Sequence, residues 1–71
     1  MSNRDLKKFG NRLKDLRLEK GITQEQLAEK LGLSANYIGM IERAERSTSL
    51  LKVFKLAKAL EVKMSELFNF D

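Results

Sequence analysis

Gly21-Ile22-Thr23-Gln24-Glu25-Gln26-Leu27-Ala28-Glu29-Lys30-Leu31-Gly32-Leu33-Ser34-Ala35-Asn36-Tyr37-Ile38-Gly39-Met40-Ile41-Glu42-Arg43 is the stretch that decides the fold. Thr23 followed three residues later by Gln26 is a capping box and starts a helix. Ile22 before the cap and Leu27 at the fourth helical position form a hydrophobic staple. That helix is expected to end at Lys30 or Leu31, and Gly32 supplies the positive φ of a sharp turn. Ser34 then caps a second short helix, with Ile38 and Ile41 pointing inward and an end near Glu42 or Arg43. Ala28 is small, so the two helices can cross closely. Ile38 fills the wedge between them.

Outward from this pair, the chain reads as helix throughout. It contains no Pro, so nothing forbids long helices. A first helix is expected from about Arg4 to Glu19, with Leu6, Phe9, Leu13 and Leu16 on one stripe. Gly10 lies inside it at a cost of about 1 kcal/mol relative to Ala. Gly21 ends it as a left-handed cap. After the polar connection 44–49, Thr48 or Ser49 caps a fourth helix. Its apolar face is expected to carry Leu50, Val53, Phe54, Ala57 and Leu60, broadened by Leu51 and Leu56. Glu61-Val62-Lys63 is a turn, and a short fifth helix runs from about Met64 to Phe68. The expected fold is all-α: a compact set of five helices in a single domain over residues 1–71, with the paired helices at about 23–43.

Composition narrows the function. The 71 residues fit one domain and leave no room for a large enclosed active site. There is no Cys and no His. Zinc-thiolate sites, a cysteine nucleophile and the usual general base near neutral pH are therefore absent. This argues against an enzyme and against a metal site; no cofactor or small-molecule ligand is expected. The longest apolar run, Tyr37 to Ile41, is far short of the roughly 18 residues of a membrane span. The polar N-terminus lacks a signal-peptide core. A cytoplasmic protein with no membrane partner is expected.

Charge points to an acidic partner. The net charge is +4 and the pI about 9.6. Residues 1–21 are net +4, 22–42 net −2, and 43–49 and 50–71 each net +1. Positive charge thus flanks the middle of the chain, so a middle segment that contacts an acidic partner would need its attracting charge supplied from these edges.

Two short helices joined around Gly32 form a helix-turn-helix. The stretch from Gly21 through Arg43, continuing through Ser49-Leu50-Leu51 and Leu56-Ala57-Lys58-Ala59-Leu60 to Leu67-Phe68, closely resembles the phage-repressor/Cro-like (Xre-type) helix-turn-helix family. That resemblance implies a five-helix, lambda-repressor-like domain that binds operator DNA as a dimer. At this length it is most similar to the controller proteins of restriction-modification systems. It also implies a buried salt bridge between Arg17 and Glu42. Three positions depart from the pattern: Ala44 where Gly is frequent, Thr48 where Pro is frequent, and Lys63 where a capping Ser is common. At Ala44, either the third helix runs on or a left-handed Ala is tolerated.

With Ile38 and Ile41 inward, the opposite face of the third helix is centred on Asn36, Met40 and Arg43, with Ala35 and Gly39 beside it. That face is expected in the major groove of double-stranded DNA. Asn36 suits bidentate pairing with adenine, and Ala35 and Met40 suit thymine methyl groups. Gly39 either lets the backbone approach DNA or is merely tolerated. Arg46 completes the expected base-reading set. Gln24 matches the family's phosphate-binding glutamine, and the helix N-terminus there favours an anion. The capping residues Thr23 and Ser34, the Tyr37 hydroxyl, and Arg43, Ser47 and Thr48 make up the remaining expected phosphate contacts. Lys7, Lys8, Lys14 and the row Lys52, Lys55 and Lys58 read as solvated faces that add long-range attraction.

One reading helix contacts too few bases to be selective, so a homodimer on a pseudopalindromic operator is expected. Leu51, Val62, Leu67, Phe68 and Phe70 form the expected dimer surface. The competing readings are an antitoxin- or adaptor-type interaction module on the same fold, and a non-specific basic DNA coater. The near-neutral reading face argues against the coater.

Overall fold

A computed structural model describes residues 2–70. Five helices follow one another: α1 (Asn3–Glu19), α2 (Gln24–Leu31), α3 (Ala35–Glu42), α4 (Leu50–Leu60) and α5 (Met64–Leu67). No strand is present among the described residues. Each of the first four helices starts on a hydroxyl cap. Ser2, Thr23, Ser34 and Ser49 accept from the amides of Asp5, Gln26, Tyr37 and Lys52. The Thr23 capping box is complete, because Gln26 Oε1 accepts from the Thr23 amide at 2.8 Å. The fourth cap is Ser49 rather than Thr48. Lys63 gives α5 no side-chain cap, and α5 is only one turn long.

The same four helices also end alike. Each is followed by a left-handed residue: Gly21, Gly32, Ala44 and Glu61. In each case the next amide returns to the carbonyl five residues before it, as in Ile22 to Arg17, Leu33 to Ala28, Glu45 to Met40 and Val62 to Ala57. This is the Schellman closure of a helix end. It settles the question at Ala44. The third helix does not run on; Ala44 sits at φ +59°. Glu61, at φ +57°, is a second non-glycine in this region, and nothing in its side chain announced it.

The core gathers Phe9, Leu13 and Leu16 from α1, Leu27 and Ala28 from α2, Ile38 and Ile41 from α3, and four residues of α4. Gly10 has a reason beyond tolerance. A Cβ there would stand 2.5 Å from the Glu42 carbonyl oxygen and 2.6 Å from that of Ile41. The missing side chain lets α1 lie directly on the end of α3. Arg12 fastens α5 to α1, its Nε donating to the Glu66 carbonyl at 2.7 Å.

Two expectations about apolar faces are corrected. Leu67 is not a surface residue; it is fully buried and belongs to the core of the single chain. On α4 the buried stripe is Val53, Leu56, Ala57 and Leu60. That spacing rotates Leu51 and Phe54 away, and Leu50 lies in the helix's exposed first turn. These three are 65% (Leu50), 64% (Leu51) and 52% (Phe54) exposed, so none joins the inward face on which the sequence places Leu50 and Phe54 with Leu51 broadening it.

Candidate nucleic-acid interface

The surface built by α2, α3 and the 43–49 connection carries most of the expected contacts. Its geometry depends on Glu42. Arg17 Nε donates to Glu42 Oε2 at 2.7 Å and Arg17 Nη2 to Oε1 at 3.2 Å. Arg17 Nη1 donates to the Ile22 carbonyl at 2.8 Å. Arg17 and Glu42 are both buried. The bridge therefore ties α1, the α1–α2 turn and the end of α3 into one unit. Glu42 Oε1 takes a further bond from Gln24 Nε2 at 3.0 Å. The first side chain of α2 is thus anchored on the last residue of α3. Gln24 remains half-buried at the surface, beside first-turn amides of α2 that have no partner inside the helix. This arrangement can receive a phosphate oxygen.

Along α3, Asn36 is exposed, and among the described residues its side chain has no hydrogen-bond partner. Ala35 and Met40 are half-buried on the same side, so Met40 is less open than an unpacked surface Met. Gly39 is buried, and a Cβ at that position would lie 2.9 Å from Arg43 Nη1 and 3.4 Å from Gln24 Oε1. In this arrangement the ends of those two side chains fill the space that a side chain at position 39 would occupy.

A second cluster lies at the start of α4. The Tyr37 hydroxyl donates to Thr48 Oγ1 at 3.4 Å and accepts from Lys52 Nζ at 3.3 Å. Lys52 Nζ lies 4.6 Å from the ring centroid and the Arg46 guanidinium carbon 5.4 Å from it. The Thr48 hydroxyl, which can rotate to serve a phenolate, is the chief influence that holds the Tyr37 phenol below its ordinary range. Partial burial opposes it, and Lys52 and Arg46 reinforce it. Tyr37 thus gathers Arg46, Thr48 and Lys52 into one basic, hydroxyl-rich patch. Lys52, which the sequence places in a solvated row, is half-buried against Tyr37. The available signal was its place in the first turn of α4, next to the connection.

Arg43 is exposed and paired. Its Nε donates to Glu45 Oε2 at 3.0 Å and its Nη2 to Oε1 at 3.2 Å. The hydrogen bond and then the opposite charge raise the Arg43 pKa and lower that of Glu45. Ser47 is exposed, as are Thr23 and Ser34, whose oxygens are already engaged as caps.

The expected dimer residues divide by flank. Phe68 is partly exposed and stacks on Phe9 with centroids 5.3 Å apart. With Leu6, Phe9 and Val53 it lines an apolar cleft of about 130 Å³ that reaches the 46–48 connection. Phe70 is half-buried on the other flank of α1, near Lys8, Asn11 and Asp15. Val62 is half-buried against the core. Among the described residues no cluster has the makings of a metal site, and no helix is long and apolar enough to cross a membrane.

The helix-turn-helix family model matches residues 13–67. The chain belongs to the helix-turn-helix family. Within the family it is 40% identical over 63 residues to the control protein C.MunI of a Mycoplasma species, covering 87% of this chain and 85% of the relative. It is likewise 40% identical over 63 residues to the control protein C.BamHI of Bacillus amyloliquefaciens, covering 87% and 78%. The crystal structure of the restriction-modification controller protein C.AhdI from Aeromonas hydrophila superposes with a TM-score of 0.89 at 48% identity, covering 93% of this chain and 96% of that one. The controller C.Esp1396I, solved as a tetramer in complex with its natural 35-base-pair operator, superposes with a TM-score of 0.80 at 41% identity, covering 89% and 83%. The five-helix architecture and the likeness to restriction-modification controllers are therefore properties of this helix-turn-helix chain.

Proposed function

We propose that the protein is a sequence-specific double-stranded DNA-binding transcriptional regulator that binds a pseudopalindromic operator as a homodimer. The observation that carries this is the side of α3 that presents exposed Asn36 with half-buried Ala35 and Met40, flanked by anchored Gln24 on one edge and the Tyr37–Arg46–Thr48–Lys52 patch on the other. A reading face between two phosphate-facing edges is what major-groove docking requires. Ala35, Asn36, Met40 and Arg46 read bases. Thr23, Gln24, Ser34, Tyr37, Ser47 and Thr48, now joined by Lys52, face phosphates, and on the operator Arg43 does so too. No cofactor takes part, and the reading places the protein in the cytoplasm with the DNA.

Size supports the dimer. The longest extent of the chain is 28 Å. Successive major-groove faces lie about 34 Å apart, so one copy reads one half-site. Leu50, Leu51 and Phe54, with Phe68 beside the cleft, supply an apolar surface for a second copy; Val62 lies nearby in sequence. The likeness to control proteins supports restriction-modification genes as the regulated targets.

Selection of bound sequences from random duplex DNA tests the reading. The expected product is a palindrome with half-site centres about 10–11 base pairs apart. Folded protein that enriches no sequence at any concentration would overturn it.

A further inference from the structure

The connection after α3 carries a charge that phosphate attraction alone does not call for. Glu45 is the one acidic residue between positions 43 and 60, a stretch that also holds Arg43, Arg46 and Lys52. Its carboxylate grips Arg43 with two bonds, at 3.0 and 3.2 Å, and both side chains are 54% exposed. The backbone sets up this pair. Ala44 is left-handed, and the Glu45 amide returns to the Met40 carbonyl at 2.8 Å. The closure of α3 therefore seats residue 45 alongside residue 43. The third guanidinium nitrogen, Nη1, lies over Gly39, within reach of where a Cβ would be at 2.9 Å. The Arg43 side chain is thus folded back along α3, between Gly39 and Glu45.

Resting on the regulator reading above, we propose that Glu45 restrains sequence-independent DNA binding by keeping the Arg43 guanidinium off phosphate. A phosphate that takes Arg43 must displace a carboxylate of similar strength and geometry. It then leaves that carboxylate unpaired in the field of the DNA backbone. Arg43 consequently releases no net counterion on random DNA, and non-specific affinity comes from the remaining cations. Glu45 is a positioning residue: it acts through Arg43. Neutralising it frees one guanidinium for each protomer. A phosphate contact carries a salt slope of about 0.9 and is worth roughly eightfold in affinity at 0.1 M salt if it has no preference at 1 M.

The test titrates the full chain against a short random-sequence duplex over about 50–200 mM salt, the range in which phosphate contacts dominate. Wild type, Glu45→Gln, Arg43→Ala and the double variant are compared, each with its melting curve recorded. Glu45→Gln is expected to bind several-fold tighter, with a log K against log salt slope steeper by about 0.9 per protomer. In the Arg43→Ala background, the same substitution is expected to add less than half of that change. An unchanged slope in Glu45→Gln overturns the inference. So does an equal gain with Arg43 removed, which would make Glu45 a plain repulsive charge. Absence of any salt-dependent binding by the folded wild type, to the random duplex and to a selected operator alike, would overturn the regulator reading itself, and the inference with it.

Discussion

Glu42 is the residue on which the interface depends. Its two oxygens take three bonds, two from Arg17 and one from Gln24, while the residue is buried at the end of α3. Removing Arg17 leaves that carboxylate buried with a single neutral donor. Breaking a buried pair on one side costs about 3–5 kcal/mol. Arg17→Ala is therefore expected to lower Tm by more than about 12 °C. A thermal melt within a few degrees of wild type would show that the pair contributes nothing to the fold. Gly10 gives a prediction whose sign separates two arguments. Helix propensity alone says Gly10→Ala should stabilise by about 1 kcal/mol. The carbonyl oxygens of Ile41 and Glu42, within 2.6 Å of the added Cβ, say the reverse. Overpacking of this kind costs about 1–3 kcal/mol, and here the obstacle is backbone. Denaturant midpoints should fall in Gly10→Ala; a rise would mean α1 does not rest on the end of α3. The sequence places Gly10 inside a helix, but the crossing that needs it is made by residues more than thirty positions away.

At the scale of elements, helix starts were legible because one side chain decides each of them. Thr23 with Gln26, Ser34 and Ser49 all act locally, on amides three residues on. Helix ends were legible in position at all four, α3 near Glu42 and α4 before the 61–63 turn included, but the left-handed residue that closes each end was legible only where it is Gly. At Ala44 and Glu61 the positive φ is set by returning backbone bonds and by the packing of the next segment, which no single side chain encodes. These two ends carry strain. An L-residue there costs roughly 1–2 kcal/mol, of which Gly would recover part after its greater loss of chain entropy. Ala44→Gly is expected to raise stability by about 0.5–1 kcal/mol, read as a shift in the urea midpoint with unchanged slope. A lowered midpoint would mean that the half-buried Ala44 methyl contributes more packing than its conformation costs. The rotation of α4 was illegible for a different reason. Apolar residues stand at 50, 51, 53, 54, 56, 57, 59 and 60, so more than one stripe satisfies helical spacing. Only packing against the other helices selects Val53, Leu56, Ala57 and Leu60.

For the whole molecule, that selection divides the apolar residues into two kinds with opposite expected behaviour. Leu67 is wholly buried, whereas Leu51 and Phe54 are more than half exposed. A small domain has little stability to spare, and a fully buried Leu replaced by Ala costs about 2–5 kcal/mol. Leu67→Ala is therefore expected to destabilise the single chain. The double variant Leu51→Glu with Phe54→Glu removes no core contact and should melt close to wild type at concentrations where the protein is monomeric. It does place like charges and unsolvated carboxylates into any surface shared by two copies. Sedimentation equilibrium is the deciding measurement, with operator binding followed across protein concentration. The expected result is a loss of dimer in the double variant, and operator affinity that recovers only at much higher protein concentration. Dimerisation at wild-type strength in that variant would move the shared surface away from α4. The Phe70 flank of α1, which the sequence also marked as apolar, would then be the next place to look for it.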